Sequence, residues 1–328
     1  MQLIRDLETI WLDRDSILTI GAFDGVHRGH QALARGVVEQ ARGTGRYSVV
    51  ITFHPHPANV LSPAQRVRYI TAPEEKVTLF ARLGVDIVAL LKFTPELAQQ
   101  PADAFVWRLV EHLRPKEIWI GQDFALGRDR GGNAEALQEM GRRWGFSVRQ
   151  VEPVVWNGSV VSSSRIRNLL AQGELEQVSE LLGWYYTLAG RVVHGQRRGH
   201  ALGFPTANIR ISTERALPRD GVYACFALLG EQRFPAVANL GVRPMFEDDG
   251  DRLLEVYLLD MEIDLYGCDL AVEFVRWLRP EMKFPSIADL IRQIQADITQ
   301  TRATLRESRP KQPPVVFSAW EALRQNNG

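Results

Sequence analysis

The chain has 328 residues, and its 39 lysines and arginines balance its 39 aspartates and glutamates, so the formal net charge at pH 7 is zero. This length suffices for two domains with a core each, and the balanced charge argues against a nucleic-acid or membrane-surface partner. The two distant cysteines exclude a disulfide framework, and the absence of a signal sequence or an apolar run of ~20 residues leads us to expect a cytoplasmic protein.

A strand, a glycine turn and a helix start follow one another in SILTIGAFDGVHRGHQAL, residues 16–33. Residues 17–20 form a short apolar strand, Gly21 ends it, and a helix begins near His27. The first N–H groups of a helix have no partner inside it, so such a start is a ready anion site. His27 and His30 would share one helix face there and could donate hydrogen bonds to phosphate oxygens as negative charge develops.

Helices and apolar strands alternate through the rest of the first half. The pattern predicts helices at 31–43, 74–83, 101–113 and 134–144, and strands at 47–53, 85–91 and 117–120. Such alternation is typical of βαβ units around a parallel sheet, which binds its ligands beyond the carboxyl ends of the strands.

Three motifs sit where such ends are expected. HPHP (54–57) and GQDFALG (121–127) each follow a strand, and VSSSRIR (161–167) opens a helix that runs to about residue 172. Serines at a helix start commonly cap it, whereas an arginine fork such as that of Arg167 also suits a phosphate group.

Taken in order, GAFDGVHRGH, TFHPHP, GQDFALG and VSSSRIR resemble the signatures of the HxGH nucleotidyltransferase superfamily, in the form used by bacterial FAD synthetases. The resemblance implies a Rossmann-like α/β domain in which His27 and His30 are catalytic. It also implies ATP contacts and flavin contacts. The ATP contacts would be Gly21, Phe23, Asp24, Gly29, Ser163, Ser164 and Arg167, and the flavin contacts His56, Asp123 and Phe124.

Two other ATP-using families are disfavoured. Aminoacyl-tRNA synthetases pair a similar helix with a KMSKS loop, and P-loop enzymes need GxxxxGK[ST], and neither string occurs here. Leu126 stands where an aromatic residue is more usual in the FAD synthetase loop.

The pattern changes after a last short helix at 173–182, and we place the domain boundary near residue 184. Short strands at 187–193, 222–228, 234–239, 253–259 and 270–277 suggest a small antiparallel sandwich or barrel. A helix from Ser286 to about Arg306 would pack across it through Ile287, Leu290, Ile291, Ile294 and Ile298. No function is evident for the tail, 308–328.

The second half carries its own candidate chemistry. In the loop HGQRRGHALGFPTAN (194–208), Thr206 and Asn208 would project from the same face of an extended chain. A hydroxyl and an amide oxygen side by side suit Mg²⁺, although a plain glycine-rich hairpin is the ordinary interpretation of PTAN alone. Glu255 would lie on the strand face opposite Leu254 and Val256, which by itself indicates only an exposed strand residue.

The loop resembles the riboflavin kinase signature GxxxGRxLGFPTANI, and LEVYLLDMEIDLYG (254–267) resembles the catalytic strand of that family. The resemblance implies a small antiparallel β-barrel domain with a C-terminal helix. The resemblance implies that Glu255 is the general base, that Gly195, Gly199, Thr206 and Asn208 hold ATP and Mg²⁺, and that Arg279 borders the flavin. His200, Met245 and Pro280 depart from the family pattern.

Together the motifs make the chain similar to the family of bacterial bifunctional riboflavin kinase/FMN adenylyltransferases. Such an enzyme phosphorylates riboflavin to FMN with ATP and Mg²⁺, and then transfers AMP from a second ATP to FMN, giving FAD and pyrophosphate. The alternatives are a flavin- or nucleotide-binding regulator whose catalysis has decayed, and another nucleotidyltransferase, such as a cytidylyltransferase, fused to a barrel. The oligomeric state is left open.

Overall fold

The computed structural model describes residues 1–194, 202–242, 252–261 and 263–308. The chain divides into two compact units, Met1–Ser163 and Ser164–Gly328. Gly195, Gly199, His200 and Met245 lie outside the described residues, as does the tail beyond Ser308. No helix in the described ranges is long and apolar enough to cross a membrane.

The first unit is built on a six-stranded sheet in which every neighbouring pair is parallel, as predicted. Its strands are β1 (Gln2–Ile4), β2 (Ser16–Ile20), β3 (Tyr47–His54), β4 (Ile87–Lys92), β5 (Pro115–Gly121) and β6 (Ser147–Val151), in the order β1-β4-β3-β2-β5-β6. A separate hairpin joins β7 (Val155–Trp156) and β8 (Ser159–Val160). The sequence did not predict the edge strands β1 and β6, because one is three residues long and the other is mostly polar.

Helices connect these strands and cover the sheet. They are α1 (Arg28–Gly43), α2 (Pro57–Leu61), α3 (Pro73–Arg82), α4 (Pro95–Gln99), α5 (Ala102–Leu113) and α6 (Ala134–Trp144). The predicted apolar face of α1 is confirmed, since Leu33, Val37 and Ala41 are all buried. β2, between β3 and β5, is buried along its whole length, so the loop that leaves it begins deep in the unit.

The second unit contains a closed six-stranded barrel, which decides between the predicted sandwich and barrel. Its strands are β9 (Thr187–Val193), β10 (Ala207–Arg210), β11 (Gly221–Leu229), β12 (Gln232–Val242), β13 (Arg252–Leu258) and β14 (Asp269–Arg279), in the order β10-β13-β12-β11-β14-β9. β10 was not predicted as a strand: the end of the glycine-rich loop pairs with both β9 and β13.

Two helices precede the barrel, α7 (Ser163–Gln172) and α8 (Leu175–Leu182). α8 lies against β14, where Glu176 pairs with Arg276 at 2.5 Å. The domain boundary near residue 184 stays a prediction.

The long helix α9 (Ile287–Glu307) follows the barrel, and of the predicted stripe Leu290, Ile291, Ile294 and Ile298 are half-buried whereas Ile287 is not. Ile287 is 64% exposed, whereas Asp297, Thr301, Thr304 and Leu305 are buried. The helix is therefore most deeply buried in its second half, where the buried carboxylate of Asp297 forms an ion pair with Arg279.

Candidate active sites

The loop between β2 and α1 holds two non-glycine residues in the left-handed backbone region, Phe23 at φ 48° and Val26 at φ 36°. This conformation is a genuine outlier for a β-branched residue and costs about 1–3 kcal/mol, so the surroundings must enforce it. The Gln31 side chain donates to the Val26 carbonyl at 2.8 Å, and the Gly25 N–H donates to the Thr71 hydroxyl at 2.9 Å.

Asp24 joins this loop to two other segments. Its buried carboxylate accepts hydrogen bonds from the backbone N–H groups of Ile70 and Thr71, each at 3.1 Å. Its backbone carbonyl accepts a 2.8 Å hydrogen bond from the Ser163 hydroxyl, so the FDG and SSS motifs meet here. These bonds fix Asp24 as an anchor of the loop, and its contact with ATP stays a prediction.

The two imidazoles lie at the start of α1, as predicted. His27 is the N-cap residue, and its ring stacks on that of His30 with 3.6 Å between centroids and 19° between planes. A Cβ added to Gly29 would come within 3.2 Å of the His27 ring, so a larger residue there would require that ring to shift by a few tenths of an ångström.

Burial, and then the charges of His27 and Lys76, lower the pKa of His30 well below its usual value. His30 is therefore neutral at pH 7, and its Nδ1 is buried without a hydrogen-bond partner among the described residues. A neutral imidazole can donate one N–H bond to a phosphate oxygen, and the start of α1 adds positive potential beside it.

Lys76 is a buried part of this site that the sequence analysis did not single out. From α3 its ammonium donates to the Ala22 carbonyl at 2.7 Å, the Thr52 hydroxyl at 3.2 Å and the Phe53 carbonyl at 3.4 Å. Burial lowers its pKa to about 8, against the opposing attraction of Asp24. Lys76 thus connects the ends of β2 and β3.

The predicted flavin contacts occupy the neighbouring loops. The Nδ1 atom of His56 caps α2 by accepting from the Ala58 N–H at 3.1 Å. The backbone N–H of His56 donates to the Tyr69 hydroxyl at 3.0 Å. In the loop after β5, Asp123 is exposed and Phe124 packs on the core of the unit. Their contacts with flavin stay predictions.

Ser164 and Arg167 belong to the second unit, in the first turns of α7. Ser164 is exposed, Arg167 is half-buried and Ile166 is fully buried, as predicted. A phosphate contact for the serine and the arginine stays a prediction.

In the barrel, three polar residues form one row across neighbouring strands. Asn208 of β10 pairs with Glu255 of β13, which pairs in turn with Asn239 of β12. Leu254 and Val256, on either side of Glu255, are completely buried, so the carboxylate lies on the opposite face, as predicted. Side chains directly opposite on neighbouring strands have Cβ atoms about 5 Å apart, so these three can act on one ligand.

A cavity of about 640 Å³ meets this row at Asn208 and is also lined by Thr206, whereas Glu255 and Asn239 are not among its lining residues. Tyr266 also lines it, and its ring stacks on that of His194 with centroids 4.0 Å apart. The hydroxyl of Thr206 and the carboxamide of Asn208 are hard oxygen donors of the kind Mg²⁺ prefers, and Glu255 beside Asn208 supplies negative charge. The residues present therefore fit a magnesium ion.

Arg279 is fixed within the second unit. Its Nε and Nη2 bind the Asp297 carboxylate at 2.9 and 2.7 Å, and its Nη1 donates to the Pro280 carbonyl at 2.9 Å. This guanidinium holds the segment after β14 in place. Its predicted contact with the flavin stays a prediction.

Two family models match the chain, one for each set of motifs. The FAD synthetase model matches residues 9–165, and the riboflavin kinase model matches residues 182–305.

Curated relatives match across both regions. Bifunctional riboflavin kinase/FMN adenylyltransferases from Listeria monocytogenes and Pseudomonas fluorescens are 37% and 39% identical, over 89% and 92% of this chain and 93% and 97% of theirs. The protein of the same name from Escherichia coli K12 is 36% identical over 94% of this chain and all of its own. Among solved structures, a macrolide-efflux protein from Streptococcus pneumoniae superposes with a TM-score of 0.84 at 32% identity, covering 92% of this chain and 98% of its own.

Proposed function

The chain belongs to the family of bifunctional riboflavin kinase/FMN adenylyltransferases, and we propose how its residues divide the two reactions. Residues 1–184 would carry adenylyl transfer from ATP to FMN, and residues 185–307 would phosphorylate riboflavin. The observation that carries the kinase assignment is Asn208, which lines a cavity of about 640 Å³ together with Thr206 and pairs across strands with Glu255.

For adenylyl transfer, the FMN phosphate attacks the α-phosphorus of ATP and pyrophosphate leaves. Because the nucleophile is already an anion, the site needs no strong base. It needs donors for the charge that develops on the phosphate oxygens. His27 and the neutral His30 would supply these with the start of α1, each donor being worth about 3 kcal/mol. Ser163, Ser164 and Arg167 would hold the other phosphates.

For phosphorylation, Glu255 would accept the proton of the primary hydroxyl of riboflavin while its oxygen attacks the γ-phosphorus of ATP. Thr206 and Asn208 would hold Mg²⁺, which, when bound, spreads the charge of the phosphates. The bond between the γ-phosphorus and the oxygen that bridges it to the β-phosphorus breaks, and ADP leaves with the negative charge on that oxygen.

The main competing function is that of a flavin-binding regulator without catalysis. Such a protein does not need a carboxylate, Glu255, directly across from Asn208, a residue able to bind Mg²⁺. It also does not need a buried neutral histidine, His30, at a helix start. The expected partners are the small molecules riboflavin, FMN and ATP, and ATP as the phosphate donor supports a cytoplasmic location.

Two variants tested in two assays decide the assignment. Glu255→Gln keeps the size of the side chain but cannot take the proton, so FMN formation from riboflavin should fall about a hundred- to ten-thousandfold, while FAD formation from supplied FMN persists. His30→Ala should show the opposite pattern, with FAD formation reduced about a hundredfold. Chromatography separates riboflavin, FMN and FAD, and each variant is the folding control for the other. Equal loss of both activities in either folded variant would contradict the division.

A further inference from the structure

Asn239 of β12 lies between two carboxylates in the second unit. On one side, Glu255 of β13 is its cross-strand partner. On the other, its Nδ2 donates a 2.9 Å hydrogen bond to Glu281, in the segment after β14. The sequence motifs give Asn239 no role, because only the strand register places it beside Glu255.

The contact with Glu281 orients the carboxamide. An ionised carboxylate can only accept hydrogen bonds, so the NH₂ group of Asn239 must face it and the oxygen must turn away. That oxygen, Oδ1, is buried and has no hydrogen-bond partner among the described residues. A buried acceptor left unpaired is costly, and native structures keep few of them.

Two further features show that the position of Glu281 is built into the fold. A Cβ added to Gly241 would lie 2.5 Å from the Glu281 carboxyl carbon, so a larger residue at this point of β12 would require the Glu281 side chain to move. The start of the segment is fixed by the buried ion pair of Arg279 with Asp297, 2.7 Å long. Glu281 therefore extends to Asn239 from a segment that is held at its start by Arg279.

We propose that Asn239 binds the hydroxylated side chain of riboflavin, its Oδ1 accepting a hydrogen bond from a hydroxyl near the one that Glu255 deprotonates. Glu281 is a positioning residue that sets the orientation of the amide. The oxygen needs a donor, and the phosphates of ATP offer only acceptors at neutral pH, whereas each ribityl hydroxyl can donate. The inference rests on the proposed role of Glu255.

The test compares two flavins in the kinase reaction of the full chain. Riboflavin carries the ribityl chain, and lumiflavin has the same ring system with a methyl group in its place. Asn239→Leu should raise the KM for riboflavin about 5- to 150-fold. The inhibition constant of lumiflavin against riboflavin, and the KM for ATP, should stay within about twofold, since neither involves a ribityl hydroxyl. Val237→Ala, on the same face of β12 but opposite Tyr257, is the matched control and should change none of these.

An unchanged KM for riboflavin in Asn239→Leu, or an equal loss for both flavins, would overturn the inference. A higher KM for ATP alone would instead indicate that Oδ1 serves the nucleotide or its metal. If Asn239→Leu does not fold, Glu281→Gln answers the same question, because a glutamine can donate as well as accept and lets the amide turn over. The KM for riboflavin should then rise while that for ATP does not, and no rise refutes the proposal. A wild type that makes no FMN would contradict the proposed function itself.

Discussion

Replacing Lys76 by methionine should make the first unit more stable at pH 7 and less active. The pKa of Lys76 is about 8 in the folded chain, against 10.5 for an ordinary lysine. Each unit of difference corresponds to 1.36 kcal/mol, so the charged ammonium lowers the unfolding free energy at pH 7 by about 3 kcal/mol. Methionine has a similar length and no charge, and it forgoes hydrogen bonds worth about 1–2 kcal/mol net. The gain exceeds the loss by about 1–2 kcal/mol.

The sign reverses at alkaline pH. Since the folded pKa is depressed, the folded state gives up its proton first, and the unfolding free energy of the wild type rises between about pH 8 and pH 10.5. Between pH 8 and pH 9.5 the wild type should gain about 2 kcal/mol relative to Lys76→Met. At still higher pH Lys76 is uncharged in the folded wild type. Lys76→Met is then less stable than the wild type, because it lacks the hydrogen bonds of the lysine.

Urea unfolding at several pH values measures this difference. Pulsed hydrogen exchange read on peptides of β3 confines the signal to the first unit, because both units would contribute to a bulk spectroscopic signal. Lys116→Met, which removes an exposed lysine, is the control and should leave the pH dependence of the wild type in place. A variant more than about 2 kcal/mol less stable than the wild type at pH 7 would refute the reasoning and make Lys76 a structural anchor.

Two further predictions concern backbone strain and domain limits. Val26→Gly should destabilise the first unit far less than Val37→Gly, since both side chains are fully buried but only the first glycine relieves a left-handed backbone worth about 1–3 kcal/mol. Thermal inactivation of FAD formation compares them, and equal losses would mean that residue 26 is unstrained. A chain beginning at Ser164 should resist urea better than one beginning at Tyr185, by about 5 kcal/mol, because α8 contacts β14 and buries several large apolar side chains. Equal stability of the two fragments would show that α8 adds nothing to the barrel.

How much the sequence predicts depends on whether the signal is local. α6 and β9 occupy the predicted residues because apolar period and flanking turns lie within one segment. β10 was missed because PTAN resembles a loop until its pairing with β9 and β13 is known. Lys76 was missed for a similar reason. The segment PEEKVTLFAR predicts an exposed helix position for Lys76. The residue is buried only because α3 packs over the ends of β2 and β3.

The motifs named most of the candidate residues but not the geometry that makes them reactive. Glu255 was recognisable, yet its row with Asn208 and Asn239 depends on the register of three strands that are distant in sequence. Register of this kind has no local signature, because shifting a strand by two residues leaves its apolar pattern unchanged. The sequence therefore predicted Glu255 as a candidate base and did not predict the amide beside it.

Departures from good packing can locate both sites without any motif, provided that they coincide. A single unpaired buried atom is not enough: the Thr301 hydroxyl and the Trp184 indole nitrogen also have no hydrogen-bond partner within the described part of the chain, and neither residue belongs to a site described above. Around α1, however, an unpaired His30 nitrogen, a buried lysine and a strained Val26 occur within one stretch of linked contacts. In the barrel, the unpaired Asn239 oxygen occurs beside the Glu255 carboxylate. The Glu281 carboxylate lies next to Gly241, two residues along the same strand. Each feature alone lowers stability, so their clustering is best explained by a ligand that satisfies them together.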